Sequence, residues 1–133
     1  MAGMVMGTPA FLAPELGHGQ GSFDERADIY SLGCVAFWLL SGRPPFDAND
    51  AMSLLAQHST TAPQPPSALT TTAISAELDA LVLECLSKDP ELRPASADFL
   101  GERLDKVPLD APWNSRRARE WWEQHEPKLV DRA

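Results

Sequence analysis

Residues 27–40 read Ala27-Asp28-Ile29-Tyr30-Ser31-Leu32-Gly33-Cys34-Val35-Ala36-Phe37-Trp38-Leu39-Leu40. Wound at 3.6 residues per turn, this string is apolar almost all round instead of along one stripe, the pattern of a central helix wrapped by protein on every side. The uninterrupted apolar run within it, residues 32–40, is too short to span a bilayer. Upstream, Ser22 and Asp24 are candidate N-caps, and Asp24, Glu25 and Asp28 place negative charge at the positive end of the helix dipole. The spacing predicts a helix over residues 24–40. Ser41-Gly42 stops it, and Arg43-Pro44-Pro45 forbids its continuation.

Further helices follow on the C-terminal side. From Asp50, residues Ala51, Leu54, Leu55 and His58 recur at i, i+3, i+4, i+7, a single apolar stripe that predicts a surface helix. Residues 59–74, with five threonines and Pro63, Pro65 and Pro66, read as a loop. Ser75 caps a third helix carrying Leu78, Leu81, Val82, Cys85 and Leu86, and Asp89-Pro90 ends it. A fourth, over residues 95–104, sets Phe99, Leu100 and Leu104 on one face. Ala118, Trp121, Trp122 and His125 share a face of an amphipathic stretch over residues 115–125. On the N-terminal side, residues 1–21 are rich in Gly and Pro and have no period, so they form a loop. No convincing alternating strand occurs, and the fold class is mainly α.

The chain has 133 residues, 44% of them hydrophobic, and a net charge of −8. A core is attainable at this length without metal or disulfide. Cys34 and Cys85 are far apart and each lies in an apolar run, which fits buried free thiols in a reducing compartment and predicts a cytoplasmic protein. The acidic balance argues against nucleic-acid or anionic-membrane partners, which require clustered Lys and Arg. Charge is uneven: residues 1–110 hold 6 basic and 15 acidic side chains, and residues 111–133 hold 5 and 4. The tail is therefore a compositionally separate segment. No secretory signal is visible before Gly7.

One string carries more than composition. Gly7-Thr8-Pro9-Ala10-Phe11-Leu12-Ala13-Pro14-Glu15 resembles the end of the activation segment of eukaryotic-like, bacterial-type serine/threonine protein kinases, which closes in Ala-Pro-Glu. Asp28-Ile29-Tyr30-Ser31-Leu32-Gly33 resembles the start of that family's central F helix, Gly42-Arg43-Pro44-Pro45-Phe46 the turn after it, and Asp89-Pro90 with Arg93-Pro94 the invariant-arginine region. Each string alone is weak; four in the family's order are strong. The resemblance covers residues 7–104, and the tail resembles more softly the Trp-containing extension after some bacterial kinases.

The resemblance implies a helical C-lobe portion of the protein-kinase-like fold, whose parent is α+β, with the N-lobe and catalytic loop absent. It implies three segments: residues 1–21 as the end of the activation segment and the substrate-docking loop, 22–107 as the helical C-lobe, and 108–133 as a C-terminal extension. Glu15 and Arg93 would form a buried ion pair tying the activation segment to the lobe; read without the family, they are two solvated charges. Asp28 would accept hydrogen bonds from the catalytic-loop backbone; otherwise it is a helix-dipole charge worth under about 1 kcal/mol. Thr8 matches the threonine whose hydroxyl reaches the catalytic base, where the plain reading is a loop threonine. Gly7, Thr8 and Phe11 would shape the groove for the substrate residue after the acceptor. Tyr30 stands where the family often has Trp, and Ala95 where a capping Ser or Thr is usual.

Absences matter as much. Phosphoryl transfer needs a Gly-rich loop, a strand lysine paired with a helix glutamate, a catalytic Asp with its Asn, and an Asp-Phe-Gly. None is present: Gly17, Gly19 and Gly21 make only Gly-x-Gly-x-Gly, and no Ser or Thr precedes Thr8 as an upstream phosphosite. No catalytic residue is therefore expected in this chain, which alone should neither bind ATP nor transfer phosphate. ATP and Mg²⁺ are implied for the intact parent, with Ser/Thr-bearing protein substrates and the missing N-lobe as partners and no membrane segment here. The chain reads as a truncated or mis-started frame or a fragment, with a genuine stand-alone chain as the alternative. A non-catalytic kinase-like binding module is the competing function. The face left by the absent lobe should be apolar and prone to pairing. His18, His58, His125 and the cysteines have no metal-ligand spacing, and there is no nucleophile elbow. Trp121 and Trp122 are expected to pack the tail onto its own domain, with a partner-docking patch as the alternative.

Overall fold

The structure, a computed structural model, describes residues 7–17 and 23–126. The Ser22 cap and the loop readings for residues 1–6 and 18–21 lie outside the described residues. In order come a 3-10 turn (Pro9–Phe11), α1 (Pro14–Gly17), α2 (Arg26–Ser41), α3 (Ala51–Thr60), a 3-10 turn (Pro66–Leu69), α4 (Ala76–Cys85), a 3-10 turn (Pro90–Leu92), α5 (Ala97–Asp105) and α6 (Ser115–His125). The described residues contain no strand, in keeping with a helical lobe.

α2 is the axis. It starts two residues later than the sequence spacing suggests, with the Asp24 carboxylate accepting from the Arg26 amide at 3.0 Å. It ends where Gly42 turns left-handed (φ +78°) and donates its N–H to the Trp38 carbonyl at 2.8 Å. Tyr30, Cys34 and Phe37 pack with Ala13, Val82 and Leu86 in one core cluster, and Ile29, Leu81, Cys85 and Leu100 form a second. A fully buried Phe or Leu side chain contributes about 1.5–3 kcal/mol, so these two clusters hold α2 on α4.

The expectation of a helix wrapped on every side is corrected. Leu32 is 50% exposed, Trp38 48% and Leu39 77%, because α4, the Pro9–Phe11 turn and the Pro66–Leu69 turn cover only one side of α2.

α3 also departs from its reading. Asp50 caps it as the spacing predicts, accepting from the Ser53 amide at 2.8 Å and its hydroxyl at 2.7 Å. It runs to Thr60, past the predicted loop start, and it is not simply a surface helix, since His58 is 1% exposed. Within the predicted loop, Pro66–Leu69 is ordered because the Asp79 carboxylate accepts from the Ser67 amide (3.1 Å) and hydroxyl.

Ser75 caps α4, accepting from Leu78 N at 3.2 Å, but the helix closes at Cys85, ahead of Asp89-Pro90. α5 begins at Ala97 because Ser96 takes the capping role that Ala95 cannot, accepting from Phe99 N at 3.1 Å. Its apolar face is only partly used: Leu100 is buried, whereas Phe99 and Leu104 are exposed. α6 matches its predicted span, capped by Asn114, yet it buries no residue. Trp121 and Trp122 pack edge to face on each other and stay exposed, so the expected packing of the tail onto the domain is not found.

Candidate functional site

The segment over residues 7–15 lies along α2 and α3. Gly7 has φ +117°, and a Cβ there would stand 3.1 Å from Leu12 Cδ1, so a side chain is strained in both backbone and space. Thr8 is exposed, and its carbonyl accepts from the Phe11 amide at 3.0 Å, closing the 3-10 turn that Pro9 starts. Phe11 sits 6.2 Å from the Trp38 ring. Its carbonyl accepts a 2.7 Å hydrogen bond from the Ser31 hydroxyl, which fixes the turn to α2. Ser31 was not singled out in the sequence, although it stands inside the Asp28–Gly33 string.

The segment ends in an ion pair to the helical lobe. Arg93 Nη1 donates to Glu15 Oε1 at 2.6 Å and Nη2 to Oε2 at 2.9 Å, a bidentate pair joining residues 78 apart. The other donors are also used: Nε reaches the Ser87 carbonyl (2.8 Å), Nη1 the Arg26 carbonyl (2.9 Å) and Nη2 the Lys88 carbonyl (3.2 Å). A guanidinium has five N–H donors, and all five are satisfied. The Arg93 side chain is wholly buried and stacks 4.9 Å from the Tyr30 ring centre. Burial alone would raise the Glu15 carboxyl, but the Arg93 hydrogen bonds, a backbone hydrogen bond and the guanidinium charge outweigh it and hold the pKa below its ordinary value. Glu15 and Arg93, matched in the sequence, are thus brought together. Asp28 is not among them: it lies exposed in the first turn of α2 and takes no part in the hydrogen bonds around Arg93.

Beside this pair lies a second cluster that sequence reasoning missed. The Tyr30 hydroxyl and His58 Nδ1 are 2.6 Å apart, and Phe46 meets the His58 ring edge-on at 5.0 Å. Lys88 Nζ sits 4.5 Å over the Phe46 ring and donates to the Gln57 carbonyl at 3.3 Å. Burial pushes the His58 imidazole down to about 4, helped by the Lys88 charge, and burial pushes the Lys88 ammonium down to about 8. The only sequence signal was a histidine on the apolar stripe of α3, which is silent about its partner. Cys34 and Cys85 are buried free thiols, with burial pushing them up to about 12 and about 11.

The described residues hold no group of three His, Cys, Asp or Glu able to bind a metal, and the phosphate-binding strings are missing from the sequence.

Comparison with known proteins bears on this geometry. The sequence pattern of the protein kinase domain matches residues 2–104. Serine/threonine-protein kinase PknB of Mycobacterium tuberculosis is 43% identical over 112 residues, 81% of this chain and 18% of its own. Serine/threonine-protein kinase Pkn1 of Myxococcus xanthus is 44% identical over 95 residues, 71% of this chain and 13% of its own. Serine/threonine-protein kinase PksC of Streptomyces coelicolor is 40% identical over 105 residues, 79% of this chain and 18% of its own. The chain spans less than a fifth of the length of these relatives.

Proposed function

The chain belongs to the protein kinase domain family, and we propose that it serves as the substrate-docking and structural C-lobe portion of a serine/threonine kinase. In the intact parent the reaction is transfer of the ATP γ-phosphate to Ser or Thr hydroxyls of protein substrates, with Mg²⁺, on groups this chain does not supply. Gly7, Thr8 and Phe11 form the docking surface, and Glu15, Asp28 and Arg93 support the active site. The single observation that carries the reading is the bidentate Glu15–Arg93 pair with every guanidinium donor satisfied, because a solvated surface charge has no reason to be so enclosed.

The segment boundaries follow the same logic: residues 1–21 as docking loop, 22–107 as helical lobe and 108–133 as extension. Val107 still packs against the second core cluster, while α6 buries nothing, which supports a boundary between them. The exposed Leu32 and Leu39 on α2 are the apolar seat for the part of the domain that this chain lacks. Among the described residues no helix is long and apolar enough to cross a membrane; we place the protein in the cytoplasm on its two buried free thiols, and in signalling by phosphorylation on its similarity to serine/threonine kinases.

The purified chain, incubated with radiolabelled ATP, Mg²⁺ and a generic protein acceptor, should transfer no phosphate. Transfer above a protein-free control would show that catalytic groups are present here and overturn the division of labour.

A further inference from the structure

His58 stands between α2, α3 and the Pro9–Phe11 turn, and its hydrogen bonding is half-told. It is 1% exposed, its Nδ1 faces the Tyr30 hydroxyl at 2.6 Å, and its Nε2 is buried with no hydrogen-bond partner of ordinary geometry. Burial raises the Tyr30 hydroxyl far above its ordinary range, so it keeps its proton and can donate it. With Tyr30 as the donor, Nδ1 is the acceptor and the one proton of a neutral imidazole sits on Nε2. A buried donor left without an acceptor is costly, and the backbone groups that act on this ring are those of Ala10 and Pro9. From the other side Ser31 already holds the Phe11 carbonyl of the same turn.

We propose that His58 is a positioning residue for the docking turn: its ring, oriented by Tyr30, presents an Nε2–H donor to the Ala10 and Pro9 carbonyls, so that α3 and α2 clamp the turn between them. α3 is thereby part of the docking surface, acting through His58 instead of through a residue that touches substrate. This rests on the docking role given to residues 7–15, but the tether is read from the chain's own spectra, so loss of the docking role would leave it standing.

The test uses the full chain with ¹⁵N-labelled histidine and backbone. At neutral pH the His58 ring should show an unprotonated Nδ1 and a protonated Nε2; an Nδ1–H tautomer or a charged ring overturns the proposal. In His58→Phe, which keeps ring volume but has no donor, the Phe11 amide should exchange about five- to tenfold faster, the factor that one hydrogen bond is typically worth, while α4 amides are unchanged. His58→Gln, whose amide nitrogen reaches the place of Nε2, should restore slow exchange. Unchanged Phe11 exchange in the Phe variant, equal acceleration throughout α4, or no rescue by Gln would each overturn it. Should His58→Phe fail to fold, the tautomer in the unaltered chain decides.

Discussion

A Cβ built on Gly33 would lie 2.7 Å from Cys85 Cβ and 3.2 Å from Leu86 Cδ2, so α2 and α4 touch where α2 has no side chain. Gly33→Ala would gain about 1 kcal/mol of helix propensity. The steric term is larger, because the clashing atom is bonded directly to the α4 backbone and cannot swing away, and overpacking of this kind costs about 1–3 kcal/mol. We expect a net loss of stability, read as a lower midpoint in urea at unchanged slope. A midpoint at or above that of the unaltered chain would mean the helices are further apart than described.

Acid should weaken the fold in two stages. The His58 folded pKa, about 4, lies below its unfolded value of 6.5, so the unfolded chain binds the proton more readily. The stability from keeping this ring neutral is fully present above pH 6.5 and lost between 6.5 and about 4, at up to about 1.4 kcal/mol per pH unit. Glu15, also held below its ordinary 4.5, adds a loss only as pH falls below that value. Denaturation at pH 7, 5.5 and 4.5 should show the first stage, and His58→Phe should flatten it. An identical slope in that variant would remove His58 as the source.

Much of this was legible in the sequence, for reasons that differ by element. The caps at Asp50 and Ser75 were readable because a capping side chain acts within three residues of its own position. Glu15 and Arg93 are 78 residues apart, and only the resemblance of their surrounding strings linked them. What the sequence hid was long-range and chemically unmarked. Tyr30 and His58 each look like ordinary apolar-face residues, and nothing local says that they face one another. The covering of α2 was misjudged for a related reason: an all-round apolar pattern says what a helix is built to bury, whereas Leu32 and Leu39 show what this chain has available to cover it.

The uncovered face leads to a third prediction. Leu39 is 77% exposed, so Leu39→Gln removes apolar surface without removing core. The unfolding free energy should change by no more than about 0.5 kcal/mol, as for surface substitutions generally, while self-association falls in sedimentation velocity. A destabilisation of several times that size would place Leu39 inside the fold.

The central claim is that the end of the docking segment is fastened to the helical lobe through Glu15 and Arg93. A double-mutant cycle measures that fastening directly, with Glu15→Gln, Arg93→Met and the double variant each unfolded in urea at pH 7. Breaking a buried pair from one side typically costs about 3–5 kcal/mol, because the other charge is left unpaired, while removing both costs less than the sum. We therefore predict a coupling energy of at least about 1.5 kcal/mol, the lower range for close buried partners. Additive single effects, with no coupling beyond error, would contradict the account.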